Sequence, residues 1–457
     1  MAPVLLTILL PIAAGGAMFV LPRGSERPAR AIGTAVALVT FALLIVGGHS
    51  EWSVRWLSRP FVAAFHFGAT SVSFWIALML ALCTASAVAT ARVERTRDFV
   101  ALMLMLEGTM LGLFLAKDLL VFALFWDLML VPVFFGLLGW GEHPATAWRY
   151  FIYNFAGGLT LLLATAAFGV IDGSTDVIGR SGVQLIGTWA PWIYAGFAFA
   201  FLVKTPVWPL HTWMPPTYSG LPAPMVAVVA AVQSKAGLYG FLAIALIVLP
   251  EYVREYSLPL MVLGAISLIY GAVVALVQSD AKRIVAYSSL SHLGLIVIAI
   301  ASGNALALKG ALVYVIAHGL FSAALFLTLG YLEEREETRS LLRLGGLGAN
   351  NPRLAGALCI AALAALGLPG LAGFVGELVI LIGVYQAGFT WPVVVALIAI
   401  IIAAAYMIRL YQDLMNGPQV EDVPHRSDLT WLEGLALSPL LAALVLLGVY
   451  PAPLLRP

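Results

Sequence analysis

Charge is what this sequence has least of. Only 10% of its 457 residues are Asp, Glu, Lys or Arg, whereas 62% are hydrophobic; soluble globular proteins carry about 25% charged residues. The mean hydropathy is +0.99. No water-soluble fold can hide so much apolar surface, so lipid must be the solvent for most of the chain. That excludes a cytosolic enzyme, a secreted domain and a nucleic-acid-binding module. Net charge is +1, with no basic tail to grip polyanions. Cysteine is scarce too. Cys83 and Cys359 lie far apart in apolar runs and suit neither a disulfide framework nor a metal site. The sequence has no phosphate-binding glycine loop, no metal-spaced His/Cys cluster and no nucleophile constellation, so redox chemistry has no evident seat in it.

Long apolar runs are abundant. A helix needs about 20 mostly apolar residues to cross the hydrocarbon core, because each backbone polar group must be satisfied within the segment. Fourteen candidates lie near 3–22, 30–48, 70–91, 99–116, 119–140, 149–170, 190–210, 222–248, 259–278, 283–301, 305–331, 354–386, 391–412 and 432–451. The first is too long for a signal peptide and lacks a small-residue cleavage site, so it reads as a retained span. The expected fold is all-α, a polytopic membrane protein.

The connections after odd-numbered spans hold Arg23, Arg27, Arg30, Arg92, Arg95, Arg97, Arg149, Lys282, Arg283, Arg335, Arg339, Arg343, Arg353, Arg409 and Arg426. Those on the opposite side hold Arg55, Arg59, Lys117, Arg180, Arg254, Lys309 and Arg456. The bias of 15 against 7 places the first set in the cytoplasm and both termini outside.

Two spans carry breakers. The seventh reads FLVKTPVWPLHTW, with Pro206 and Pro209 after Lys204. The twelfth reads LAALGLPGLAGFVGELVIL, with Pro369 among four glycines and Glu377 just beyond. Proline removes a helix hydrogen bond and glycine loosens what remains, so both segments are expected to break within the membrane. Grouped in fives, the fourth to eighth spans and the ninth to thirteenth place the broken segment fourth in each group. Because five is odd, the second group runs inverted. The expected organisation is three N-terminal spans in 1–98, a first repeat in 99–248, an inverted repeat in 249–412 and a final span in 413–457. Matching interruptions in inverted halves point to a transporter fold with ion sites near the midplane.

A charge at the bilayer centre costs at least about 2.5–3.5 kcal/mol on insertion scales, and this chain keeps several. Glu107 lies in MLMLEGTML and Asp127 in LVFALFWDLMLVP. Lys204 precedes the first break, and Lys235 is central in AVVAAVQSKAGLYGF. His292 follows YSSLS, His318 lies in LVYVIAHGLFSAALF, and Glu377 follows the second break. Acids, bases and imidazoles in this order read as a proton relay. A carboxylate 4 Å from an ammonium is worth about 4 kcal/mol at an effective dielectric of 20. Moving one charge against a membrane potential costs about 2.3 kcal/mol per 100 mV, so a carboxylate that approaches or leaves Lys204 is a switch of the right size. Bland readings stand beside this one. Lys204 caps freed carbonyls, Asp127 fixes register, and the histidines are neutral partners of Ser288 and Ser322, one turn away. His211 is expected near the cytoplasmic surface, and Trp213 and Tyr218 in a proline-rich connection fit an interfacial aromatic belt.

The motifs DLLVFALFWDLMLVPVFFGLLGWG, LVKTPVWPLHTWMP, QSKAGLYG, DAKRIVAYSSLSHLG, AHGLFSAALFLTLGYLEER and GLPGLAGFVGE occur in this order. On them the chain resembles the antiporter-like subunits of bacterial respiratory complex I, NADH:quinone oxidoreductase, and most of all the M type. The resemblance covers nearly the whole chain. It implies fourteen transmembrane helices, two inverted five-helix repeats and broken helices seven and twelve. It also assigns the helix-five acid to Asp127, the broken-helix lysine to Lys204, the helix-eight lysine to Lys235, the helix-ten and helix-eleven histidines to His292 and His318, and the helix-twelve terminal group to Glu377. The family's helix-five acid is normally glutamate, one methylene longer than Asp127. A glutamate at 377 resembles the M type; the L and N types and Mrp antiporters usually carry lysine there.

The resemblance implies a proton-translocating subunit in the bacterial cytoplasmic membrane, in contact with lipid and with L-type and N-type partner subunits. It implies that the chain itself binds no NADH, flavin, iron–sulfur cluster or quinone. Three other readings remain open on sequence. The first is the equivalent subunit of a membrane-bound hydrogenase-type complex, the second an Mrp-type Na+/H+ antiporter subunit, and the third a structural scaffold whose buried charges are fixed pairs.

Overall fold

The structure is a computed structural model that describes residues 2–22, 24–180, 182–416 and 427–455. Arg23, Arg426 and Arg456 of the charge count lie outside the described residues. In lipid a backbone donor finds its acceptor only within its own helix, and the apolar runs fold accordingly. Eleven helices among the described residues are long and apolar enough to cross a membrane. Four shorter apolar helices accompany them: Pro3–Met18, Ala190–Lys204, Pro352–Ala365 and Ala372–Gln386. The last two are halves of one interrupted crossing, so the set accounts for all fourteen spans. The protein is a polytopic all-α membrane protein, relieved among the described residues by one antiparallel hairpin, Trp52–Leu57 with Ala63–Phe67.

Both expected interruptions are present. The seventh span stops at Lys204, because Pro206 has no amide to continue the ladder and disfavours helical backbone at Thr205. The chain then turns and resumes as the short helix Met214–Gly220. The twelfth stops at Ala365 and resumes at Ala372. Between them Gly367 and Gly370 adopt φ of 76° and 96°, the left-handed region open to glycine at little cost.

Two further interruptions were not expected. The fifth span divides at Met129 into Leu119–Leu128 and Leu130–Trp140, where Pro132 cannot donate to the Leu128 carbonyl. The eighth contains two π turns, Val229–Gln233 and Phe241–Ala245, on either side of Lys235–Gly240. The reading of residues 211–224 is corrected. Met214–Gly220 is a half-helix, and Trp213 and Tyr218 are fully buried rather than interfacial, because this half-helix packs its aromatics inward.

The chain forms two compact units. One comprises Met1–Pro206 with Val232–Tyr256, the other Val207–Ala231 with Ser257–Pro457. In the first, the hairpin caps one end of the helices. Asp118 caps the fifth span by accepting from the Leu120 amide at 2.8 Å and ties in the hairpin through the Ala64 amide at 2.9 Å. The Thr175 hydroxyl donates to the same carboxylate at 2.9 Å. In the second unit, Ser257–Val277 crosses Ala281–Ala301 where Gly264 meets Gly294, the small-residue contact that lets membrane helices approach backbone to backbone. One end of this unit is held by charge. Arg339 pairs with Asp280 at 2.5 Å, Lys282 with Glu333 at 2.5 Å and Arg335 with Glu433 at 2.6 Å.

Candidate functional site

Most of the candidate relay residues fall into two clusters, one in each unit. In the first unit Lys204 is the last residue of its helix and fully buried. Its ammonium stands over the Trp126 ring, 4.8 Å from the centroid. The next residue, Asp127, interacts with it electrostatically, but no ion pair within 4 Å joins the two among the described residues. The aspartate's charge therefore reaches Lys204 through space and not by contact. Gly158 of the facing helix Pro144–Asp172 makes room for that carboxylate. A Cβ there would collide with the Asp127 carboxyl group.

Lys235, also fully buried, is the first helical residue beyond the Val229–Gln233 π turn. π turns of this kind recur at functional sites. The Cys83 thiol lies near enough to interact with it. The break after Lys204 meets this helix directly. The Thr205 hydroxyl donates to the Ser234 carbonyl at 3.4 Å, and Gly237 faces the Phe201 carbonyl and Thr205. One residue from Ser234, the Gln233 amide donates to the buried Tyr150 hydroxyl. Glu107 stands apart. It is fully buried, and neither of its carboxyl oxygens has a hydrogen-bond partner among the described residues.

The second unit holds His292, His318 and Glu377, and a residue that the sequence reading passed over. Tyr314 lies between His292 and Glu377. Its hydroxyl is 2.5 Å from His292 Nδ1 and donates to Glu377 Oε1 at 2.6 Å. Backbone packing sets this arrangement. Gly376, adjacent to Glu377, lies against Tyr314 so closely that an added Cβ would come within 2.7–2.8 Å of it. His318, one turn along from Tyr314, has its ring centroid 5.7 Å from that of His292, and Phe321 packs on both rings. Ser322 is 3.4 Å from His318 Nδ1, as expected. Ser288 is instead taken by the Tyr406 hydroxyl, which donates to it at 3.0 Å. His211 joins neither cluster. It is buried in the turn after the first break, edge-on to Tyr270 at 5.2 Å, because the chain folds inward there.

Tyr314 had a signal in the sequence, four residues before His318 on one helix face. Trp126, next to Asp127, had one as well. Gly158 had none.

Interrupted crossings, each placing a protonatable side chain at its break, define an antiporter-like membrane protein. The comparisons with known proteins narrow this. The family described as NADH:quinone oxidoreductase/Mrp antiporter, transmembrane, matches residues 116–403, and the chain belongs to it. NADH-quinone oxidoreductase subunit M of Rhodobacter capsulatus is 33% identical over 97% of this chain and 92% of its own length. A chain of respiratory complex I from Thermus thermophilus, solved with bound NADH, superposes with a TM-score of 0.90 at 32% identity, covering 99% of this chain and 97% of that one. A chain of the Mrp complex from Dietzia sp. DQ12-45-1b shares the fold, with a TM-score of 0.89 at 20% identity over 99% and 95% of the two chains.

Proposed function

We propose that this chain is the M-type, antiporter-like subunit of a complex I-type NADH:quinone oxidoreductase in the bacterial cytoplasmic membrane. It translocates protons and performs no redox chemistry itself. One observation carries the reading: a fully buried lysine at a helix break, Lys204, interacts with a carboxylate, Asp127, that does not contact it. A fixed structural pair would close to hydrogen-bond distance to offset the cost of desolvating both charges. A pair held apart leaves the lysine able to gain and lose a proton as the separation or the charge of its partner changes.

In this mechanism a proton enters from the cytoplasm, is held at Lys204 and Lys235, and is later held at His292 or His318 and Glu377 before leaving outward. Asp127 sets the proton affinity of Lys204, and Glu107 answers to a neighbouring subunit. Residues 99–248 and 249–412 act as inverted repeats. Both termini face outward, a topology that the 15-to-7 distribution of basic residues supports. L-type and N-type subunits are the proposed membrane partners. The test is Lys204→Ala in the assembled complex. The subunit should assemble at its normal level and proton pumping should be abolished; pumping at wild-type level would reject the assignment.

A further inference from the structure

We propose that the Tyr314 hydroxyl carries the proton between His292 and Glu377 directly, with a phenol where a membrane relay would otherwise need water. The inference rests on the proton-translocation reading above and assigns to it a residue that reading does not use. The geometry is that of a short relay. All three side chains are buried, and the two oxygen-centred contacts are 2.5 and 2.6 Å, both made by one hydroxyl. Among the described residues, Tyr314 is the hydrogen-bond partner of Glu377. The neighbouring phenol, Tyr406, is engaged with Ser288 and does not compete.

A phenol has one proton to donate and two lone pairs to accept with, so its two contacts are not independent. When Glu377 is a carboxylate it can only accept. The Tyr314 proton then points to Oε1, and His292 must present Nδ1–H to the phenol oxygen. When Glu377 is a carboxylic acid it donates to the phenol oxygen. The Tyr314 proton then points to His292, whose Nδ1 must be bare. The string therefore holds one transferable proton in either of two arrangements, and the protonation of Glu377 dictates the tautomer of His292.

The step between the arrangements balances without any other reactant. It starts from an imidazolium and a carboxylate. The His292 Nδ1–H bond breaks as a new phenol O–H bond forms. The original phenol O–H bond breaks as an O–H bond forms on Glu377 Oε1. His292 ends neutral with its proton on Nε2, Glu377 ends as the acid, and Tyr314 is restored with a different proton. The anchor for this geometry is the close approach of Gly376 to Tyr314, which holds the phenol beside Glu377 whichever arrangement is occupied.

The test uses the intact membrane complex carrying Tyr314→Phe, with Glu377→Gln as its companion. Positioned proton-transfer groups typically contribute about 10²–10⁴-fold, so Tyr314→Phe should assemble normally and lose at least about tenfold in proton translocation. In the same variant the infrared carboxyl band of Glu377 should move, because its donor is gone. If Glu377→Gln abolishes translocation while Tyr314→Phe leaves the rate and its D2O effect at wild-type values, the phenol relay is overturned and the wider reading survives. If Glu377→Gln itself pumps normally, the wider reading falls. Should Tyr314→Phe not assemble, 3-fluorotyrosine at position 314 keeps shape and hydroxyl but makes the phenol more acidic. An altered pH–rate profile would support the relay, and an unaltered one would overturn it.

Discussion

The Lys204 ammonium lies 4.8 Å from the centroid of the Trp126 indole, and the carboxylate that acts on it belongs to the very next residue, Asp127. Neighbouring residues on a helix project about 100° apart, so ring and carboxylate reach the lysine from different sides. A desolvated cation over an indole gains up to about 2 kcal/mol. The ring thus offsets part of the cost of desolvating the charged lysine without a contact ion pair. Trp126→Leu should therefore leave assembly intact and slow translocation about tenfold, short of the complete loss from Lys204→Ala. Proton uptake by membrane vesicles containing the complex measures both, and equal losses would show that the ring does more than solvate the cation.

Gly158→Ala should imitate loss of the acid. The new methyl group would occupy the space of the Asp127 carboxyl group and push it away from its present position. Translocation should fall to the level of Asp127→Asn. The double variant should be no worse than either single one, the non-additivity expected of residues that act as a unit. Additive losses would place Gly158 in a separate role.

Glu433→Gln should destabilise the second unit. The Arg335 guanidinium is held by Glu433 at 2.6 Å and by the Tyr331 and Ser427 carbonyls at 2.8 and 2.9 Å. Removing the acid leaves a buried cation without its counter-charge, a change worth about 3–5 kcal/mol. Thermal unfolding in detergent should show a midpoint lower by several degrees. The paired replacement Arg335→Met with Glu433→Leu should recover part of the loss.

The hairpin end of the first unit should be acid-sensitive through Glu51. Its hydrogen bond and charge interaction with Lys117, helped by His66, hold this carboxyl below the usual carboxylate range despite the opposing effect of burial. A lowered folded-state value stabilises the fold above the ordinary carboxylate value and ceases to do so as pH falls through the lowered one. The difference in thermal midpoint between wild type and Glu51→Gln should thus be greatest near neutrality and vanish in acid. Because Glu51 is half exposed, the difference should also shrink in high salt. A difference independent of pH would mean that Glu51 acts by packing.

The two expected breaks were legible because proline and glycine act on the backbone itself, whatever surrounds them. The candidate ions were legible because a charge in an oily run is costly and stands out from its apolar neighbours. Other features depend on neighbours distant in sequence. Trp213 and Tyr218, beside prolines, look like a membrane-surface belt until Met214–Gly220 is seen to fold as a half-helix. Tyr314, four residues before His318, shows no link to Glu377 until Gly376 brings that residue against it. The π turns beside Lys235 fall in runs such as VAAVQ and FLAIA, whose residues fit ordinary helix equally well.

Those wide turns give Lys235 a mechanical setting that a uniform rod would lack. Each accommodates one residue more than regular pitch allows, and surplus of that kind can be handed along the chain by exchanging one carbonyl partner for the next. If the surplus of the first turn crossed the Lys235–Gly240 segment to join the second, that segment would swivel by about 100° while the flanking ends stayed docked. The lysine would sweep an arc rather than stretch, like a key turned between two bearings.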